Sequence, residues 1–97
     1  MQNMQKRVLV VDDDDMNLMR TKKILGKEYD VFLARSGAEA LKTLRREQMD
    51  LVLLDIEMPR MDGFETFERM KEFADETPVI FLTASGLEDD VVNAIRL

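Results

Sequence analysis

Apolar residues along the chain alternate between two patterns, short β-rich runs and longer periodic stretches. Residues 8–11, 51–54 and 78–82 are nearly unbroken apolar runs, as expected of strands buried on both faces. Residues 29–34, second in chain order, form a further run, which Asp30 interrupts. Pro78 lacks the N–H that a strand interior needs, so it can only begin its strand. Between the runs lie helical patterns. Met16, Leu18, Met19, Lys22 and Leu25 mark the first, with Gly26 as its C-cap. Ser36 opens the second, with Glu39 three residues on in a capping box and Ala38, Leu41 and Leu44 on one face. Phe64, Phe67, Met70 and either Phe73 or Ala74 mark the third. A fourth starts near 87–89 and runs through Val91, Val92 and Ile95. Strand and helix thus alternate from the start, which predicts an α/β fold: a parallel sheet with helices on both faces.

At 97 residues the chain has room for one domain, 1–97. Its 45% hydrophobic and 35% charged content is that of a globular protein. No stretch approaches the ~20 apolar residues of a membrane span, so the expected location is cytoplasmic, with no membrane partner. The absence of cysteine and histidine excludes disulfides, thiolate or imidazole metal ligands and histidine-based catalysis. Chemistry must run on carboxylates, hydroxyls, Lys, Arg and backbone groups. The net charge of −6 argues against direct nucleic-acid binding by this segment and favours a hard cation as ligand.

In doubly wound sheets the ligand site lies beyond the carboxyl ends of the strands, at the point where strand order reverses. The first run ends in Asp12-Asp13-Asp14-Asp15, the third in Asp55 and the fourth in Thr83-Ala84-Ser85. If the first and third strands are neighbours, Asp12, Asp13 and Asp55 converge. Carboxylates so grouped repel unless a cation lies among them, and Mg2+, with its preference for oxygen ligands and phosphate, suits the place. Asp55 could then attack phosphorus and form an acyl phosphate, with the Thr83 hydroxyl and the Ala84 N–H as donors to the phosphate. The ordinary alternatives are a solvated turn and a helix cap. For Asp14 and Asp15 the cap is the favoured reading, for Asp12 and Asp13 the disfavoured one. Residues 59–63, Pro-Arg-Met-Asp-Gly, form a turn in which Gly63 permits unusual φ. The eight methionines read mostly as core filler or loop plugs.

Three stretches, VLVVDD at 8–13, LLDIEMP at 53–59 with Met61-Asp62-Gly63, and VIFLTA at 79–84, resemble the response-regulator receiver family in order and spacing. The resemblance implies a flavodoxin-like sheet of strand order 2-1-3-4, extended in the family by a fifth strand. It implies that Asp55 is phosphorylated by a histidine kinase or phosphotransfer protein. Asp13 would bind Mg2+ directly, Asp12 through water, and the Glu57 backbone carbonyl would be a further ligand. Thr83 would move toward the phosphate and signal to the fourth helix, while Glu57 and Ser85 occupy positions that tune self-dephosphorylation. Family members continue with a fifth strand, a phosphate-pairing Lys and a fifth helix, none of which follows Leu97 in this sequence. The expectation is therefore a domain incomplete at its C-terminus, with the fourth strand at an edge open to dimerisation or swapping, attached to an output domain of unknown kind. Two other functions are compatible with the residues. One is a phosphorylation-silent interaction module. The other is a haloacid-dehalogenase-type phosphatase, which Asp12 and Asp14 loosely suggest and the following Asp15-Met16-Asn17 does not support.

Overall fold

The computed structural model describes residues 5–82; the expected fourth helix and Thr83, Ala84 and Ser85 lie outside the described residues. The elements are β1 (Arg7–Val11), α1 (Asp15–Leu25), β2 (Asp30–Ala34), α2 (Gly37–Arg46), β3 (Leu51–Asp55), α3 (Gly63–Met70) and β4 (Val79–Leu82). The four strands form one parallel sheet in the order β2-β1-β3-β4. The chain runs from β1 through α1 to β2 on one side, then crosses by α2 to β3 on the other. The order therefore reverses between β1 and β3.

Burial explains the strand patterns. β1 is paired on both sides, and Val8, Leu9, Val10 and Val11 are all buried. On one sheet face Leu9, Val11, Val52, Leu54 and Phe81 pack with Ala40, Leu41 and Leu44 of α2, Met70 of α3, and Met49 and Met58 from the loops. On the other, Val8 and Val10 pack against Leu18, with Leu25, Leu51 and Leu53 alongside. Helices on both faces of a parallel sheet are the doubly wound arrangement. Phe81 anchors β4 beneath the rings of Phe64 and Phe67, whose centroids lie 5.2 and 5.4 Å away.

The second helix begins as its sequence predicts. Ser36 Oγ accepts a hydrogen bond from the Glu39 N–H at 3.1 Å. Glu39 reaches back not to the cap residue but to the Arg35 N–H, at 3.0 Å. Ser36→Ala is expected to cost about 1 kcal/mol, read as a lower urea midpoint with an unchanged slope.

Several expectations are corrected. Met16 and Met19 are 71% and 61% exposed, because α1 seats Leu18 and Leu25 on the sheet and turns the two methionines outward. The third helix stops at Met70; Phe73 and Ala74 lie in the turn after it, their N–H groups donating to the Met70 carbonyl. Asp30 is inside β2 and tolerated there because its side chain is exposed at the strand start. Gly26 does end α1, but in right-handed geometry, with φ −66°.

Candidate functional site

The β1 and β3 strands are in register over Val8–Leu51 to Val11–Leu54, so the residues that follow them emerge side by side. Oxygen atoms of Asp12, Asp13 and Asp55 all lie within 4.8 Å of one another. The trio sits where the strand order reverses, beyond the carboxyl ends of the strands. Its donors are all hard oxygens, which fit a divalent cation such as Mg2+ or Mn2+.

Each member is held differently. Asp12 is buried, its backbone N–H donates to the Ala34 carbonyl at 3.1 Å, and its Oδ1 accepts from the Asp14 N–H at 2.9 Å. Asp13 is exposed, with its carboxylate toward solvent and the trio. Asp14 is the N-cap of α1, accepting from the Met16 N–H at 3.0 Å. Asp15 opens that helix and pairs with Arg35 at 2.5 Å. The cap reading thus holds for Asp14, and Asp12 and Asp13 belong to the cluster.

Asp55 ends β3 opposite Leu82, and the next residue, Ile56, donates its N–H to the Leu82 carbonyl at 3.0 Å. Partial burial pushes the Asp55 carboxyl up from its usual 3.8 to about 6. The negative charge of Asp12 adds to this, with smaller contributions from Asp13 and Glu57. The Glu57 N–H opposes it, donating to Asp55 Oδ1 at 3.2 Å. A carboxyl raised mainly by burial and like charge is one that a cation would return to its ionised form.

The loop after Asp55 departs from the sequence reading in one respect. The residue at positive φ is Arg60, at 67°, and not Gly63. Glycine is needed at 63 for space: a Cβ there would stand 2.4 Å from the Asp55 carbonyl oxygen. An L-residue in left-handed geometry costs roughly 1–2 kcal/mol, part of which a glycine returns as chain entropy. Arg60→Gly is accordingly expected to raise stability by about 0.5–1 kcal/mol, visible in the urea midpoint. Gly37, Met61 and Thr66 meet beside this loop. The sequence marks Met61 only as part of the Met61-Asp62-Gly63 stretch, and the other two only as a small residue at a helix start and a helix position.

A family model, that of the response regulator receiver domain, matches residues 8–97. The transcriptional regulatory protein ZraR of Klebsiella oxytoca is 41% identical over 93 residues, covering 95% of this chain and 21% of that protein. Sporulation initiation phosphotransferase F of Bacillus subtilis is 39% identical over 95 residues, covering 97% of this chain and 77% of that protein. Among solved structures, the N-terminal domain of a response regulator receiver protein from Methanoculleus marisnigri JR1 superposes with a TM-score of 0.84 at 39% identity, covering 95% of this chain and 76% of that one. The chain spans between a fifth and less than half the length of the transcriptional regulators it matches. The flavodoxin-like order β2-β1-β3-β4 and these similarities agree, and the chain belongs to the response regulator receiver domain family of two-component systems.

Proposed function

We propose that Asp55 accepts a phosphoryl group in a Mg2+-dependent transfer from a histidine kinase or a histidine-containing phosphotransfer protein. The observation that carries this reading is the meeting of Asp12, Asp13 and Asp55 oxygens within 4.8 Å, with Asp55 the half-buried member at the strand end. Asp13 would ligate the metal directly, Asp12 through water, with Asp55 and the Glu57 carbonyl completing the protein ligands. When bound, the cation offsets the charge of the carboxylates and of the incoming phosphate.

The residues themselves then act as follows. Ionised Asp55 presents one oxygen to phosphorus; the new O–P bond forms as the bond from phosphorus to the donor's nitrogen or oxygen breaks, and the donor leaves with that electron pair. Asp55 Oδ1 is oriented by the Glu57 N–H. Thr83 Oγ and the Ala84 N–H are proposed as donors to the bound phosphoryl group, and Thr83 as the group that passes the change to the fourth helix. Relatives named as transcriptional regulators suggest an output domain that the receiver controls. A cytoplasmic setting, as the receiver family suggests, is part of the same proposal; no helix among the described residues is long and apolar enough to cross a membrane.

Incubation with a small-molecule phosphodonor and Mg2+ tests the reading. A single modification per chain, reached without continuing consumption of donor beyond slow hydrolysis, is the expected result. Steady turnover of phosphate esters would instead support a phosphatase. Affinity for Mg2+ is expected to fall as pH drops through about 6, because protons compete for Asp55 there. A metal affinity flat from pH 7.5 to pH 5, on titration calorimetry, would contradict this.

A further inference from the structure

We infer that Met61, seated on Gly37 of α2, is a positioning residue for the acidic site: it fixes the loop that carries Glu57 and thereby couples α2 to metal binding. The inference rests on the reading of Asp12, Asp13, Asp55 and the Glu57 carbonyl as a metal site.

The loop of residues 56–62 leaves Asp55 and returns to α3. Hydrogen bonds close it at its base, where the Gly63 N–H donates to the Ile56 carbonyl at 2.9 Å. At the far end Asp62 caps α3, its Oδ1 accepting from the Glu65 N–H at 2.9 Å. The Thr66 hydroxyl, buried, donates to the Asp62 carbonyl at 2.8 Å. The segment between is held by side chains. Met58 is buried in the larger core cluster, and Met61 packs against that cluster. The left-handed turn at Arg60 comes immediately before Met61.

Met61 is seated where only glycine leaves room. A Cβ on Gly37 would stand 2.9 Å from Met61 Sδ, 3.2 Å from its Cγ and 2.2 Å from Thr66 Oγ1. The first turn of α2, the end of the loop next to α3 and the first turns of α3 therefore meet at one point. Glu57 sits four residues before Met61 and ties the loop to the site, through its N–H to Asp55 Oδ1. Asp55 itself is held in β3 opposite Leu82, so a loop loosened at Met61 acts through Glu57, displacing its carbonyl and weakening its N–H bond to Asp55 Oδ1. Groups that orient ligands in this way typically govern affinity by about 10–100-fold.

The test is Mg2+ titration of Met61→Ala, Met61→Leu and Gly37→Ala beside the unaltered protein, with thermal melts and amide exchange at Glu57. Met61→Ala is expected to weaken Mg2+ binding about 10-fold and to speed exchange of the Glu57 amide. Met61→Leu, which refills the seat, restores affinity to within about 2-fold. Gly37→Ala keeps the methionine but drives a Cβ into its sulfur and into Thr66 Oγ1, so it is expected to weaken binding as well and to speed exchange of the Glu57 amide. If Met61→Ala unfolds, unchanged Mg2+ affinity in folded Gly37→Ala overturns the inference. Equal Mg2+ affinity in folded Met61→Ala and the unaltered protein would overturn the inference while leaving the metal site standing. No Mg2+ binding by the unaltered protein would overturn both.

Discussion

Asp55→Asn is expected to abolish acyl phosphate formation and, in the absence of metal, to stabilise the protein at pH 7. The first effect follows from chemistry: a neutral amide oxygen lacks the charge and nucleophilicity to attack phosphorus, and no other carboxylate of the trio ends β3. The second follows from proton linkage. The Asp55 carboxyl is raised to about 6 in the folded protein, mainly by burial and then by Asp12, against an ordinary value of 3.8. The folded state therefore binds more protons than the unfolded state between these values. The group's contribution to stability is fully present below about pH 4 and is lost as pH rises through about 6. At pH 7 the folded protein carries the cost of an ionised Asp55 beside Asp12. With allowance for solvent screening at this half-exposed group, asparagine should relieve about 1 kcal/mol of it. Denaturant titrations at pH 5 and pH 7 check the sign: the advantage of Asp55→Asn is larger at pH 7. Saturating Mg2+ should reverse the order, since it stabilises the form that binds it.

Asp13→Asn is expected to lower Mg2+ affinity and the phosphorylation rate together, each by about 100-fold, with stability changed by less than about 0.5 kcal/mol. Asp13 isolates the metal's contribution because its side chain is exposed and the fold does not depend on it. Asp12 would be a poorer test. It is buried and its Oδ1 holds the Asp14 N–H at the entry to α1, so its replacement disturbs the loop as well as the metal. Titration calorimetry and phosphorylation time courses over a range of Mg2+ check the prediction. Recovery of the rate at high Mg2+ assigns the loss to binding; a rate that stays low at saturation would place Asp13 in the transfer step itself.

How much of this was legible in the residues differs from element to element. Strands announced themselves, because a strand buried on two faces must be apolar at successive positions, and Val8 to Val11 and Leu51 to Leu54 are. The Asp12, Asp13 and Asp55 trio followed from strand adjacency alone, and the distances bear that adjacency out. The outward methionines of α1 are not legible in its pattern, since apolar residues occupy more of that helix than the one face that Leu18 and Leu25 turn to the sheet. The end of α3 is hidden for a similar reason: Phe73 continues the apolar spacing, yet it lies in the following turn with its ring beneath the Arg45 guanidinium. The loop geometry was hidden more deeply. Glycine at 63 signalled conformational freedom, whereas the structure uses it for close approach and places positive φ at Arg60. Contacts such as Met61 on Gly37 depend on how two helices and a loop meet, which no local pattern encodes.

The central claim, that Asp55 carries the phosphoryl group, is tested most directly by chemical trapping. Hydride reduction of an aspartyl acyl phosphate converts that residue to homoserine, and peptide sequencing by mass spectrometry then reads the position. After treatment with a phosphodonor and Mg2+, homoserine at position 55 alone is predicted, and its loss when Mg2+ is withheld. Homoserine at another aspartate, or a phosphoryl group that survives hydride on a serine or threonine, would contradict the account.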